Sequence, residues 1–442
     1  MSCEQFREDL VAYVGGEVEG ERRAAIEQHL AECEPCRQEA QALQQVLAGA
    51  RLADDDETVR QVQNLIGAAL EQGASDIHLL PQPDGVHVRY RVDGALRTHT
   101  VLARALHAAL VVRLKVMADV DAAATGVPQD GRMHLVGRGR EVDVRANFLP
   151  TILGEKVTMR LLSRDTVQLG LPRLGLSPPH LQQAEQFLRL PAGLLVATGP
   201  IGCGKTTLLY SMLTALDADR LSICTVEDPV ELALARTQQT QVNVQAGLTF
   251  AAALRSIMRC DPDVVMAGEI RDLASMELVV QATLTGHLCL TALHAPSAAA
   301  ALCRMRDMGV EPWLIADALR LVVAQRLVRK VCPECREEAE LRPEQLPTEA
   351  PPLAALVGQR VAHARGCTAC AQTGYQGRVG LFEVLTVDGP VRTLVARGLC
   401  LEELKRALAA SGHRTLADDG VAKVLAGLTT PDEVWAAVQD AV

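Results

Sequence analysis

The spacing of apolar positions changes period several times along this chain, and each change marks a candidate domain. Apolar residues recur at helical spacing through Gln5–Val14, break at Gly15 and Gly16, and resume over Glu21–Leu30 and Gln38–Leu47, which predicts a small helical unit in residues 1–50. Asp54, Asp55 and Asp56 then read as a solvated junction. Residues 57–163 follow an α+β pattern, with helices at Thr58–Glu71 and Ala103–Ala118 and strands at Val86–Val92, Glu141–Ala146 and Lys156–Leu162. A linker rich in Gly and Pro (Gly170, Pro172, Gly175, Pro178, Pro179) covers 164–179. From 180 to 330 short apolar strands alternate with helices, the pattern of an α/β parallel sheet. Residues 331–375 hold two Cys pairs and several prolines, and 376–442 read as helices.

Composition narrows the function classes. Apolar runs such as Ala192–Ala197 fall far short of the roughly 18 residues of a membrane span. The first residues lack a basic and apolar leader, so a cytoplasmic protein is expected. Aromatics are only 2% and the formal charge is −10, which leaves little for base stacking or a phosphate backbone, and no nucleic-acid partner is expected. Thirteen cysteines in a reducing compartment read as metal ligands or free thiols before disulfides.

The strand run Leu194–Thr198 leads into Gly199, Pro200, Ile201, Gly202, Cys203, Gly204, Lys205, Thr206 and Thr207, which fits G-x-x-x-x-G-K-[ST] and opens an apolar helix at Leu208–Leu216. Such a loop wraps phosphates with backbone N–H groups, its Lys reaches the β/γ-phosphates and its Thr hydroxyl meets Mg²⁺, so ATP or GTP binding is predicted. Cys203 stands beside a helix N-terminus, where a positive field predicts a lowered thiol pKa. Two further strands, Leu221–Val226 and Val264–Ala267, end on acids: Glu227, Asp228 and Glu231 after the first, and Gly268, Glu269, Arg271 and Asp272 after the second. Acids at the carboxyl ends of strands are placed where a metal and an attacking water are needed.

The pairs Cys332/Cys335 and Cys367/Cys370 offer four thiolates, the set Zn²⁺ favours in a tetrahedron, and nothing nearby resembles a thioredoxin unit. His29 and Cys33 lie one helical turn apart with Cys36 in the next turn, and Cys3 can close a second zinc tetrahedron. This N-terminal segment resembles the zinc-binding domain of anti-sigma factors.

The segments Gly199–Tyr210 and Thr225–Glu231, the residues Asp261-Pro-Asp-Val264, Gly268–Asp272 and Thr285-Gly-His287, and the pair Leu293-His294 closely resemble the type II/IV secretion ATPases. The likeness runs from about Ala74 to the C-terminus and includes Ser75-Asp-Ile-His78, Arg89–Gly94, Pro128-Gln-Asp-Gly-Arg132, Gly154-Glu-Lys156 and Gly427-Leu-Thr-Thr430. The resemblance implies a RecA-like P-loop domain preceded by an α+β domain, with a helical N-terminal zinc finger, a tetracysteine insertion and C-terminal helices. It implies Glu231 as general base, Glu269 holding Mg²⁺ through water, and His287 and His294 as a His box in which His294 senses the γ-phosphate. Arg89, Arg91 and Arg145 match arginines that the α+β domain presents to nucleotide. The tetracysteine insertion goes with secretion and pilus extension rather than retraction. The family pattern carries Ser at Cys203 and Thr-Asn-Asp at Ala295-Pro296-Ser297, where this chain departs.

The resulting expectation is an Mg²⁺-dependent ATPase, a homohexameric motor for type II secretion or type IV pilus assembly. It would be held at the cytoplasmic face of an inner-membrane platform, with ATP, Mg²⁺ and Zn²⁺ as cofactors. The rival expectation is a regulator whose zinc finger binds a sigma factor under the control of an ATPase domain.

Overall fold

The computed structural model describes residues 3–15, 18–53, 56–137, 140–163, 170–346 and 350–441. The expected break at Gly16, most of the acidic junction (Asp54 and Asp55), the linker from 164 to 169 and Pro347 lie outside the described residues. The chain forms two compact units, Met1–Arg164 and Asp165–Val442.

The first unit begins with three helices, α1 (Cys3–Gly15), α2 (Gly20–Glu32) and α3 (Glu34–Ala53). Their shared core is small, built on Phe6, Leu10, Val18, Ile26, Cys36 and Ala40. Helix α2 stops where Cys33 turns to extended backbone and donates its N–H to the His29 carbonyl at 2.8 Å. Next come α4 (Asp56–Glu71), β1 (Ala74–Gln82), β2 (Gly85–Val92), β3 (Ala95–Leu102), α5 (His107–Met117), β4 (Gln129–Gly137), β5 (Arg140–Thr151) and β6 (Gly154–Ser163). Helix α3 runs alongside α5, so the N-terminal helices join this α+β unit instead of hanging from a free junction. The six strands form one antiparallel sheet in the order β3-β2-β1-β6-β5-β4. Alternation explains its two faces: Ile77, Leu79, Val88, Tyr90, Val144, Phe148, Val157 and Met159 point into a core shared with Leu65 and Ile66 of α4 and Leu110 and Leu114 of α5. The helix expected from Ala103 begins as a single 3-10 turn, Arg104–Leu106, before α5 proper.

The second unit is built on seven strands: β7 (Gly193–Thr198), β8 (Ile223–Glu227), β9 (Gln238–Gln241), β10 (Val264–Ala267), β11 (Leu288–Leu293), β12 (Leu319–Val331) and β15 (Tyr375–Thr386), in the order β15-β12-β7-β11-β10-β8-β9. All neighbours are parallel except the β12/β15 pair. Strands β7, β8, β10 and β11 are buried along their whole length, because helices cover both faces of the sheet. Helices α6 (Pro178–Leu188) and α7 (Lys205–Leu213) pack on one face; α8 (Phe250–Ile257), α9 (Leu273–Leu284), α10 (Ala298–Asp307) and α11 (Pro312–Ala318) pack on the other. A two-stranded sheet, β13 (Arg336–Glu340) with β14 (Arg360–Ala364), and the helices α12 (Gly389–Ala396), α13 (Leu401–Ala410), α14 (Leu416–Leu425) and α15 (Pro431–Val438) complete the unit.

Two expectations are corrected here. Residues 170–177 are not a free linker: Leu171 and Leu174 are buried in the second unit's core, around the turn Leu171–Arg173. The C-terminal region is not purely helical, since β15 inserts as the antiparallel edge strand beside β12. Its polar start, Tyr375 to Arg378, masks the apolar run Leu381–Leu385 that follows.

Candidate functional site

The loop Gly199–Gly204 connects the carboxyl end of β7 to the N-terminus of α7, and β8, β10 and β11 end along the same edge because they run parallel to β7. Two glycines make the loop geometry feasible. Gly199 has φ +145°, and a Cβ there would lie 2.5 Å from the Gln325 carbonyl oxygen and 2.6 Å from Cys203 Sγ. Gly204 has φ +94° and would meet Gln325 Nε2 at 2.7 Å. Lys205 Nζ donates to the carbonyls of Gly199 at 2.7 Å and Pro200 at 2.9 Å, which fixes the ammonium inside the loop. Burial lowers its pKa from the usual lysine value.

One cavity beside this loop is lined by Thr206, Tyr210, Glu231, Gly268, Glu269 and Arg271, among others. Glu269 Oε1 receives Arg271 Nε at 3.0 Å and lies 3.1 Å from His294 Nε2. Burial alone would raise the Glu269 pKa, but Arg271 and His294 outweigh it and hold the carboxyl below its ordinary range. His294 Nδ1 lies 3.4 Å from Lys205 Nζ and 3.2 Å from the Gly199 carbonyl oxygen, while its Nε2 faces Glu269. His294 therefore links the phosphate-loop lysine to the acid that ends β10. His287 does not reach this group: its Nδ1 donates to the Ala282 carbonyl at 2.8 Å and closes the turn after α9. Asp272 is likewise occupied, capping α9 through the Ser275 N–H at 2.8 Å and the Ser275 hydroxyl at 3.0 Å. Asp228 is exposed and sits 3.7 Å from Arg271 Nη1.

The acids after β8 divide into two kinds. Glu227 is buried, and its carboxylate accepts from the Tyr210 hydroxyl, from Thr225 Oγ1 at 2.6 Å and from Gln239 Nε2 at 3.0 Å. Glu231 is half-buried and lines the cavity, with its backbone N–H directed at the Tyr210 oxygen at 3.3 Å. Spacing alone could not separate these roles.

The arginines singled out from the sequence lie on the face of the first unit's sheet opposite its core. Strand register places Arg91, Asp76, Arg160, Arg145 and Arg132 abreast on β2, β1, β6, β5 and β4. Asp76 is buried, with Arg160 Nε at 3.1 Å and Arg91 Nε at 3.7 Å. Arg89 lies two positions from Arg91 on β2, opposite His78. Arg160 was not quoted from the sequence, and Arg132 entered only as the last residue of the motif Pro128–Arg132; what sets both beside Arg145 is register, which appears only once β4 and β6 are paired with β5.

Both Cys groups converge. In the second unit, Cys332 and Cys367, Cys335 and Cys370, and Cys367 and Cys370 have Sγ atoms 3.9, 3.9 and 3.8 Å apart, and all four lie within 4.8 Å of one another. A zinc tetrahedron with Zn–S near 2.3 Å has an edge of about 3.8 Å, so the donor set fits Zn²⁺. Cys3, His29, Cys33 and Cys36 meet the same 4.8 Å limit, with Cys3 and Cys33 Sγ atoms 3.8 Å apart. This includes Cys3, the ligand farthest in sequence from the other three.

The family model described as "Type II/IV secretion system protein" matches residues 51–436. The chain belongs to that family. Residues 3–37 separately match the model described as "Putative zinc-finger". Among curated relatives of the secretion family, the type II secretion system protein HxcR of Pseudomonas aeruginosa is 44% identical over 388 residues, 88% of this chain and 79% of that protein. The type II secretion system ATPase E of Vibrio cholerae is 42% identical over 382 residues, 86% of this chain and 75% of that one. Among solved structures, the Legionella pneumophila ATPase DotB has a TM-score of 0.62 at 19% identity, covering 85% of this chain and 94% of that one. The pilus retraction motor PilT with bound ADP has a TM-score of 0.56 at 23% identity, covering 85% and 96%. These two share the fold.

Within this secretion-family chain, one expectation is overturned. Cys203 is buried, and burial raises its thiol pKa despite the opposing fields of Lys205 and Arg326. Its sulfur packs beneath Gly199 and fills the loop from inside instead of presenting a thiolate. The departure at Ala295-Pro296-Ser297 also has a structural account. Thr198 Oγ1 and Ala295 bond reciprocally, with O and N each at 2.9 Å, and the Ser297 side chain caps α10. The backbone after His294 is thereby fixed.

Proposed function

We propose that the chain is an Mg²⁺-dependent ATPase that works as a motor of type II secretion or type IV pilus assembly. In this reading it is a homohexamer at the cytoplasmic face of an inner-membrane platform, and ATP-driven closure of its two main units is the power stroke. The observation that supports this best is the meeting of Thr206, Glu231 and Glu269 around one cavity, with Lys205 and His294 bonded at its edge. ATP phosphates lie in the loop against Lys205 and the N-terminus of α7. The Thr206 hydroxyl and the Glu269 carboxylate are hard oxygen donors of the kind that hold Mg²⁺, directly or through water. Mg²⁺ would neutralise charge on the β- and γ-oxygens. Glu231 takes the proton of the attacking water, and His294 reads the γ-phosphate through its link to Lys205 and Glu269. Arg89, Arg91 and Arg145, joined by Arg132 and Arg160, approach phosphate when units or subunits close.

Each Cys group is assigned one Zn²⁺. The tetracysteine group favours secretion or extension over retraction, and the N-terminal helices serve as a docking element for the platform. The sigma-factor reading finds no support in these comparisons, because the zinc-finger match names no partner. No described helix is long and apolar enough to cross a membrane. The test is ATP turnover by purified protein with and without its platform. Lys205→Ala should lose both binding and hydrolysis, while Glu231→Gln should bind ATP normally and turn over at least about a hundredfold more slowly. Near-normal turnover in Glu231→Gln would move the base to Glu269.

A further inference from the structure

Tyr210 is the fifth residue after Lys205, on the helix that the phosphate loop opens, and it is fully buried. A buried hydroxyl needs partners, and this one has them on both sides. It donates to the Glu227 carboxylate, and its oxygen receives the backbone N–H of Glu231 at 3.3 Å and Gln239 Nε2 at 3.4 Å. Burial and the Glu227 charge both raise its pKa, so it stays protonated and keeps donating. Glu227 is in turn immobilised by Thr225 and Gln239, and Gln239 also holds the Leu232 carbonyl at 3.0 Å. The turn that carries Glu231 is therefore tied to the body of α7, whose N-terminus supplies Lys205 and Thr206.

We infer that Tyr210 is a positioning residue: its hydroxyl ties the Glu231 turn to the phosphate-loop helix and so sets where the base stands relative to the phosphates and metal. The inference rests on the assignment of Glu231 as base. A group misplaced by a fraction of an ångström loses much of its rate advantage while ground-state binding survives. Tyr210→Phe keeps the ring and removes only the oxygen. It should lower kcat about tenfold with KM for ATP unchanged, a loss between that of one hydrogen bond and that of a full ångström of displacement.

The decisive measurement is a double-mutant cycle with Glu231→Gln, read by single-turnover hydrolysis. If Tyr210 acts through Glu231, adding Tyr210→Phe to Glu231→Gln changes the rate by less than about twofold. Thr225→Val is the control for lost packing, because Thr225 also donates to Glu227 but lies on β8, outside the turn that carries Glu231. It should lower Tm as Tyr210→Phe does and lower kcat less than Tyr210→Phe, because Gln239 still holds Glu227. Should Tyr210→Phe fail to fold, Gln239→Leu runs the same cycle, since Gln239 meets both the Tyr210 oxygen and the turn. A slow Glu231→Gln with an undiminished tenfold effect of Tyr210→Phe on top, or a Tyr210→Phe single variant at wild-type kcat, would overturn the inference alone. Normal turnover in Glu231→Gln would remove the base assignment and the inference with it.

Discussion

Gly199 and Gly202 belong to the same loop and both have positive φ, +145° and +78°, yet replacing them by Ala should have very different outcomes. At Gly202 an added Cβ has nothing within 4 Å, so the cost is conformational, about 1–2 kcal/mol for an L-residue in the left-handed region. At Gly199 the Cβ lies 2.5 Å from the backbone oxygen of Gln325. Cβ contacts essentially do not fall below 3.0 Å, so the gap must open by at least about 0.5 Å. Strand β12 cannot give way, because Ala324 is paired with Thr198 and its other edge with β15. Cys203 Sγ, buried at 2.6 Å, closes the alternative direction. The loop itself must move, carrying the N–H groups that cradle phosphate, and overpacking of this kind adds about 1–3 kcal/mol to the conformational cost. Titration with a fluorescent ATP analogue should show Gly199→Ala on the order of a hundredfold or more weaker than wild type and Gly202→Ala about tenfold weaker, with unchanged circular dichroism for both. Affinities for the two variants within threefold of each other would refute the steric argument.

Arg145→Ala should lower turnover at saturating ATP about tenfold or more while changing ATP affinity less, since the arginine acts once units or subunits close; equal losses in binding and turnover would contradict this. Elemental analysis should find about two zinc ions per chain, with Cys370→Ser and Cys36→Ser each removing one and only Cys370→Ser loosening the second unit to proteolysis. Unchanged zinc content in either variant would dismiss that site.

The phosphate loop and both Cys groups were legible because their chemistry is carried by short spacings, which survive without knowledge of the fold. The acids after β8 were legible only as a cluster. Nothing in Glu227-Asp-Pro-Val-Glu231 says that the first carboxylate is consumed by Tyr210, Thr225 and Gln239, since those partners come from α7, β8 itself and β9. Strands β1, β3 and β4 escaped detection because Pro81 lies within β1, β3 has a polar centre (Arg97-Thr-His-Thr100) and no buried position, and β4 opens with Gln129-Asp-Gly. The reactive-thiol expectation for Cys203 failed for a related reason: the helix field was visible in the sequence, whereas the burial beneath Gly199 that overrides it comes from β12.

The row Arg91–Asp76–Arg160–Arg145–Arg132 sets one negative charge among four positive ones, a surplus of three across adjacent strands. Like charges facing each other across a sheet oppose folding, and Arg160–Arg145–Arg132 places three in succession with no carboxylate between them. The sheet tolerates this because its other face is fully packed. A sequence optimised for thermal resistance alone would interleave acids along this row. The present one sets three arginines in succession along the row, so repulsion between neighbouring strands is accepted in exchange for a face suited to meeting anions.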